Sequence, residues 1–110
     1  PMSLSPPEQL AVDEFCRRVR ARFGPRVVDL ALFGSRARGE AHELSDVDIA
    51  TVIDGLTGAE AREVAFIAGD MMTEHAVLIS PFVVSAEHMR KLIARERLIA
   101  AEIARDRIPL

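Results

Sequence analysis

Two acidic residues, Asp46 and Asp48, lie within an otherwise apolar run at residues 46–53. Asp is disfavoured in β-strands, so two of them in one predicted strand require an explanation. Side chains two residues apart project from the same face of a strand, and the two carboxylates are therefore predicted to point the same way. Like charges at short range repel, and a bound cation relieves that repulsion. The spacing predicts a site for Mg2+, a hard ion that commonly binds together with substrate phosphates.

A second apolar run, residues 26–33, ends at Gly34 and Ser35, which are followed by Arg36 and Arg38. A turn that follows a strand and opens a short helix can present backbone N–H groups to an anion. Taken without the two acids, the same residues would describe an ordinary turn with a capping serine. One arginine is expected to contact phosphate and the other to be solvated, and the sequence does not rank the two. A P-loop is excluded, because its lysine-containing motif is absent.

The sequence Gly-Ser-Arg-Ala-Arg-Gly at residues 34–39, followed by Ser-Asp-Val-Asp-Ile at residues 45–49, resembles the signature of the minimal nucleotidyltransferases. These are small relatives of the DNA polymerase beta palm that are often encoded beside a HEPN-domain protein. The resemblance implies transfer of a nucleoside monophosphate from an NTP, with ATP expected, to an acceptor hydroxyl. It implies phosphate binding by one group of residues and catalysis through Mg2+ or Mn2+ by another: Gly34, Ser35, Arg36 and Arg38 in the first, Asp46 and Asp48 in the second.

The resemblance also bears on partners and on activity. It suggests a HEPN-domain protein as partner, with this chain as the antitoxin, and a homodimer is a further alternative. Such families place a third carboxylate on a later strand, but the corresponding run, residues 76–84, has no acid, and Ser80 is its interior polar residue. Asp70, Glu74 and Glu87 are nearest in sequence, each expected to be a surface residue. The alternative is therefore a catalytically weakened or inactive nucleotide- or partner-binding module, since lost proton transfer typically costs about 10²–10⁴-fold.

The order of apolar patterns predicts an α+β fold with a small mixed sheet of three to four strands flanked by helices, similar to the polymerase beta palm. A helix is predicted from the Ser5 cap to Gly24, with Leu10 on its apolar face. Strands are predicted at residues 26–33, 46–53 and 76–84, with an exposed loop at 40–45. A helix at 57–74 is expected to bury Met71 and Met72.

The remaining sequence is less regular. Pro81 within the third strand implies an edge, a bulge or a strand end. The C-terminal helical region changes phase at residues 95–97, which predicts two helices or a kink, and residues 106–110 are too short to assign. Apolar residues of these helices and of the 57–74 helix are candidate contact surfaces, although core packing is the simpler interpretation: Met71, Met72, Leu98, Ile99 and Ile103.

Composition limits the class of protein. The 110 residues are predicted to form one domain, with Pro1 expected to be an addition ahead of Met2. A net charge of −3 and only five aromatic residues argue against broad binding of duplex or single-stranded nucleic acid. The single Cys16, with no leader and no apolar run of membrane-spanning length, predicts a cytoplasmic protein that does not enter a membrane. His42, His75 and His88 match no zinc-binding pattern.

Overall fold

A computed structural model of the chain describes residues 2–40 and 45–110. The part of the chain that it describes contains a four-stranded mixed sheet in the order β3-β2-β1-β4. Strand β1 runs antiparallel to β2 and to β4, whereas β2 and β3 are parallel. The elements in chain order are α1 Pro6–Phe23, β1 Val27–Phe33, α2 Ser35–Arg38, β2 Val47–Ile53, α3 Gly58–His75, β3 Ile79–Ser85, α4 Ala86–Ala94, α5 Leu98–Asp106 and β4 Ile108–Pro109.

Helices α1 and α3 both begin with a capping box. The Ser5 hydroxyl accepts from the Glu8 N–H while the Glu8 carboxylate accepts from the Ser5 N–H, and Thr57 and Glu60 repeat the arrangement. Each box satisfies two backbone donors that a helix start would otherwise leave without partners. The two helices pack together on one face of the sheet and bury its main hydrophobic core.

Two apolar residues that were predicted to be buried in these helices are exposed. Leu10 is 63% exposed and Met72 is 45% exposed, so those two predictions are wrong. Leu10 precedes the buried stripe that starts at Ala11 and Val12, and Met72 follows the fully buried Met71. A helix advances about 100° per residue, so the neighbour of a core residue can already point toward solvent.

The register of the sheet divides the side chains of β2 between two environments. Val47, Ile49 and Ile53 face α1 and α3 within the main core. Asp48 pairs with Phe33 of β1 and with Ser80 of β3, so these three residues share the other face. On that face, Phe33, Ala50 and Ile103 form a second core cluster against α5. The second face therefore carries Asp48 at one end and helices α4 and α5 beside it.

Strand β3 lies at the sheet edge, which is one of the three alternatives that Pro81 had left open. It begins at Ile79 rather than at residue 76, because Ala76 adopts a left-handed conformation (φ 56°) that ends α3. After β3 come two separate helices rather than one, with a break at residues 95–97. The residues left unassigned include β4, which pairs with Ala31 and Leu32.

The predicted fold class is confirmed: the described residues form an α+β unit whose mixed sheet has four strands. The predicted loop at 40–45 lies largely outside the described residues, and so does His42. Among residues 2–40 and 45–110 there is no helix with the combined length and hydropathy to cross a bilayer.

Candidate functional site

The end of β1 and the start of β2 are joined at the candidate site by contact between Gly34 and Asp48. Gly34 has φ +75° and is buried, and a Cβ atom at this position would lie 2.5 Å from Asp48 Oδ2. Only glycine adopts this backbone conformation at little cost and also leaves room for the carboxylate. The short helix α2 follows directly, with the Gly34 carbonyl accepting from the N–H groups of Ala37 and Arg38. The glycine–serine turn and the second acid are thus brought into one site.

The two acids of the predicted metal site lie at the entrance to β2. Asp46 is exposed and immediately precedes the strand, and Asp48 is half-buried within it. Burial raises the pKa of the Asp48 carboxyl above its ordinary value, and the negative charges of Asp46 and Glu102 raise it further. Arg38 acts in the opposite direction on the same pKa. Burial and the neighbouring carboxylates therefore disfavour the ionised form of Asp48, and a cation would remove that penalty.

Arg36 points into the protein, with a side chain only 4% exposed. Its Nη1 donates to Glu8 Oε1 at 2.6 Å and to the Ser3 carbonyl at 3.1 Å, and its Nη2 donates to the Ser45 carbonyl at 2.8 Å. The side-chain hydrogen bond from Arg36 is the main reason that the pKa of Glu8 is lowered. Arg36 therefore ties α2 to the start of α1 and to Ser45, just before the two acids. Its predicted contact with phosphate stays a prediction.

Arg38 lies on the open side of the turn, with a side chain 32% exposed. Its Nη1 donates to Asp106 Oδ2 at 2.6 Å, and its Nε donates to Glu40 Oε2 at 3.1 Å. Asp106 also accepts two hydrogen bonds from Arg105, and these partners lower the pKa of Asp106 to about 2. Because Asp106 is the last residue of α5, this ion pair connects the C-terminal end of α5 to the turn. Of the two arginines, Arg38 is the more exposed, and its charge is the one that acts on the pKa of Asp48.

The acids that lie nearest to the third strand in sequence are elsewhere in the structure. Glu74 accepts hydrogen bonds from Arg18 at 2.7 and 2.9 Å, and Asp70 lies 3.6 Å from the same guanidinium, so both belong to the α1–α3 layer. On α4, Glu87 Oε1 lies 3.4 Å from Nζ of Lys91, which is one helical turn further along the chain. Ser80 occupies the register position opposite Asp48. None of the three acids considered from the sequence is thus brought to Asp48.

The donor set suits a divalent cation that arrives with phosphate. Within residues 2–40 and 45–110, no group of three or more His, Cys, Asp or Glu side chains has the geometry of a metal site. Two carboxylates beside a glycine turn nevertheless fit Mg2+, which is often held by one or two carboxylates together with substrate phosphates. The space in front of Asp48 also depends on Gly34 having no Cβ.

Sequence reasoning missed three residues around this site. Glu8 was not considered as part of the site, although it accepts a hydrogen bond from Arg36, and Asp106 was left unassigned, although it accepts one from Arg38. Glu102 is close enough to act electrostatically on Asp48. A signal for the last two was available, since Ile99, Glu102, Ile103 and Asp106 recur at the three- and four-residue spacing of one helix side.

A comparison with sequence families identifies the family of the chain. The family described as "Nucleotidyltransferase domain" matches residues 12–101, which is most of the chain. The chain belongs to this nucleotidyltransferase family, and the predicted membership is confirmed. The matched segment contains the glycine–serine turn, both acids and the first half of α5.

Two proteins of Methanocaldococcus jannaschii with the provisional name of protein adenylyltransferase are similar to the chain. One is 42% identical over 45 residues, 41% of this chain and 31% of the relative, so the matched part spans about a third of that relative's length. The other is 31% identical over 86 residues, 78% of this chain and 82% of the relative.

Solved structures share the fold. A minimal nucleotidyltransferase is 29% identical with a TM-score of 0.60, and the match covers 98% of this chain and 99% of that one. A nucleotidyltransferase from Sulfolobus solfataricus is 21% identical with a TM-score of 0.55, and the match covers 92% of this chain and 76% of that one. A toxin–antitoxin structure with AMP-PNP is 18% identical with a TM-score of 0.55, and the match covers 86% of this chain and 68% of that one. The last two support the fold alone.

Proposed function

We propose that the chain binds a Mg–NTP complex, with ATP as the expected nucleotide, and transfers its nucleoside monophosphate to an acceptor hydroxyl. The observation that carries the proposal is the packing of Gly34 against Asp48, which brings the turn that we expect to bind phosphate next to an acid that we expect to bind the cation. In this proposal Gly34, Ser35 and Arg38 bind the nucleotide phosphates. Asp46 and Asp48 hold the cation, with Mn2+ as a substitute for Mg2+. Arg36 supports the turn from the protein interior, through its hydrogen bonds to Glu8 and to the Ser45 carbonyl.

The proposed reaction is an in-line displacement at the α-phosphorus. The acceptor oxygen forms a bond to the α-phosphorus while the bond between that phosphorus and the pyrophosphate oxygen breaks. Pyrophosphate leaves, and the proton of the acceptor hydroxyl is released to water. A bound divalent cation supplies charge neutralisation and orients the attacking and leaving oxygens. Ser35 and Arg38 would hold the leaving phosphates, since a hydroxyl and a guanidinium both donate hydrogen bonds to phosphate oxygens.

The acceptor is proposed to be a hydroxyl on a protein. Two relatives carry the name of protein adenylyltransferase, and one structural neighbour is a toxin–antitoxin assembly with AMP-PNP. A partner protein would also supply a surface for the acceptor, because the described chain has little beyond its sheet and helices to enclose one. A HEPN-domain protein as that partner, and an antitoxin role for this chain, stay predictions, and so does a cytoplasmic location.

Nucleotide binding is the first test. Calorimetry should show ATP binding that requires Mg2+ in the wild-type chain and is lost in the Asp46→Asn/Asp48→Asn variant. Asp13→Asn is a matched control, because Asp13 is an exposed residue of α1 that bonds to Gln9. Binding of equal affinity in the double variant would contradict the proposed metal site. Transfer of label from α-labelled ATP to co-purified protein then tests turnover.

A binding module without turnover is the second candidate. It is favoured by one observation: Ser80, and not an acid, pairs with Asp48 in the register of β3. This candidate predicts Mg2+-dependent ATP binding with no label transferred to any co-purified protein. Substitution of Ser80 by Asp would then be expected to add a carboxylate at the position that faces Asp48, and a gain of transfer would identify the missing group.

A further inference from the structure

An apolar groove of about 520 Å³ lies between helices α4 and α5, and the sheet forms its floor. Val28 and Val52 contribute the floor, from near the start of β1 and near the end of β2. Asp48 is near the start of β2, so the groove is at the opposite end of the strands from the candidate site. Whatever occupies the groove therefore leaves that site accessible.

The groove leaves large apolar side chains in contact with solvent. Ile93, on the α4 wall, is 60% exposed, and Val28 on the floor is also exposed. The α5 wall is formed by Ala100, Ala101 and Ala104, whose short side chains do not fill the space. An exposed apolar surface with a charged rim is typical of a contact with another protein chain.

The rim of the groove carries three exposed charges, those of Arg90, Glu96 and Arg97. Within residues 2–40 and 45–110, none of the three forms an ion pair. Asp29 and Arg107 also line the groove, but they pair with each other at 2.6 Å. Because the three charges without partners include both signs, they match a surface that also carries both signs. A second copy of this chain is such a surface.

Two of these charges are arranged symmetrically about Ile93. Arg90 precedes Ile93 by three residues on α4, and Glu96 follows it by three residues in the turn before α5. In an interface with twofold symmetry, residue i of one copy contacts residue j of the other, and j contacts i. A twofold axis at Ile93 would run α4 antiparallel to α4 of the second copy. Each Arg90 would then lie opposite a Glu96.

We propose that the α4–α5 groove is the interface of a homodimer, in which Ile93 of each copy enters the groove of the other and Arg90 pairs with Glu96 across a twofold axis. Ile93 buries its exposed surface against the alanines of α5, and apolar burial is the dominant favourable contribution in most protein association. The two ion pairs fix the antiparallel orientation. The inference does not depend on the proposed function.

Sedimentation equilibrium of the purified chain tests the proposal. The wild type is expected to approach twice its monomer mass of 12.1 kDa as its concentration is raised to about 0.5 mM. Ile93→Glu should weaken association at least about a hundredfold, because apolar burial is lost in both copies and two like charges meet at the axis. Phe66→Glu is the matched control, since Phe66 is 73% exposed on α3, on the other side of the sheet, and should not change the mass.

Charge reversal tests the predicted pairing. Arg90→Glu and Glu96→Arg should each weaken association by about tenfold or more, because like charges then face each other at both pairs. An equimolar mixture of the two variants should associate as the wild type does. Every pair in the mixed dimer then joins an acid of one variant to an arginine of the other. Recovery on mixing separates this role from a folding defect, since mixing repairs no fold.

Three results would overturn the inference. The first is a wild type that stays at 12.1 kDa up to about 0.5 mM. The second is a dimer that Ile93→Glu leaves intact, which places the interface on another face. The third is a monomeric wild type that co-purifies with a second protein through a contact that Ile93→Glu abolishes, which assigns the groove to that partner. Failure of the mixed variants to associate would overturn the pairing of Arg90 with Glu96.

Discussion

The carboxylate of Asp48 occupies the space in which a side chain at position 34 would lie, with Oδ2 only 2.5 Å from the position of a Cβ atom on Gly34. The turn and the acid are therefore fitted to each other across adjacent strands. Any residue larger than glycine must displace the carboxylate or the turn. Because the proposed function needs both groups in one place, this contact is the most direct point at which to perturb the site.

Gly34→Ala should weaken Mg2+-dependent ATP binding by at least about tenfold, because the new methyl group displaces Asp48. The backbone conformation of Gly34 (φ 75°, ψ −161°) is also unfavourable for alanine, by roughly 1–3 kcal/mol. Calorimetry measures the affinity, and urea unfolding measures the stability. Gly69→Ala is the matched control: nothing lies within 4 Å of a Cβ there, and this helical position should gain roughly 1 kcal/mol. Unchanged ATP affinity in Gly34→Ala would contradict the proposed site.

Glu8→Gln should destabilise the protein by about 3 kcal/mol, because the buried guanidinium of Arg36 loses its carboxylate partner. Glutamine still completes a capping box, so the change isolates the ion pair from the helix start. Urea unfolding at neutral pH measures the effect. The control is Glu63→Gln, which breaks the half-exposed pair between Arg22 and Glu63 and should change stability much less. Equal effects of the two substitutions would show that burial of the pair is unimportant.

Asp106→Asn should lower the unfolding temperature at neutral pH but not near pH 2. The pKa of Asp106 is lowered from 3.8 to about 2 in the folded protein, so its ionised form stabilises the fold above pH 4. This contribution declines as the pH falls from about 4 through 2, where the carboxyl becomes protonated in both states. The measurement is the difference in unfolding temperature between wild type and variant across this pH range. Asp70→Asn, with its exposed carboxylate 3.6 Å from Arg18, is the control. A pH-independent difference would contradict an ionic role.

Arg38→Gln should weaken ATP binding several-fold, because the side chain places a partly exposed positive charge beside the turn. Calorimetry at two ionic strengths tests the electrostatic origin, since added salt should reduce the difference from the wild type. Arg62→Gln on the exposed surface of α3 controls for a general change in net charge. An affinity loss that is independent of salt would indicate a distorted turn, and an unchanged affinity would remove Arg38 from the proposed site.

Much of the fold was predictable because it depends on local patterns. Capping residues located the starts of α1 and α3, and apolar runs located β1 and β2. The start of β3 was predicted three residues too early, because the left-handed Ala76 was not foreseen. The two-residue strand β4 was unpredictable, since so short an element exists only through its pairing with β1.

The positions of Asp46 and Asp48 at the beginning of β2, and of the glycine–serine turn at the end of β1, follow from spacing along the chain and were predictable without the structure. Which side chains contact each other depends instead on the packing of the helices against the sheet. That packing buried Arg36 against Glu8 and turned Arg38 toward Asp106. These pairs are 28 and 68 residues apart in the sequence. Their contacts follow from how helices dock on the two faces of the sheet, and no local pattern records that docking.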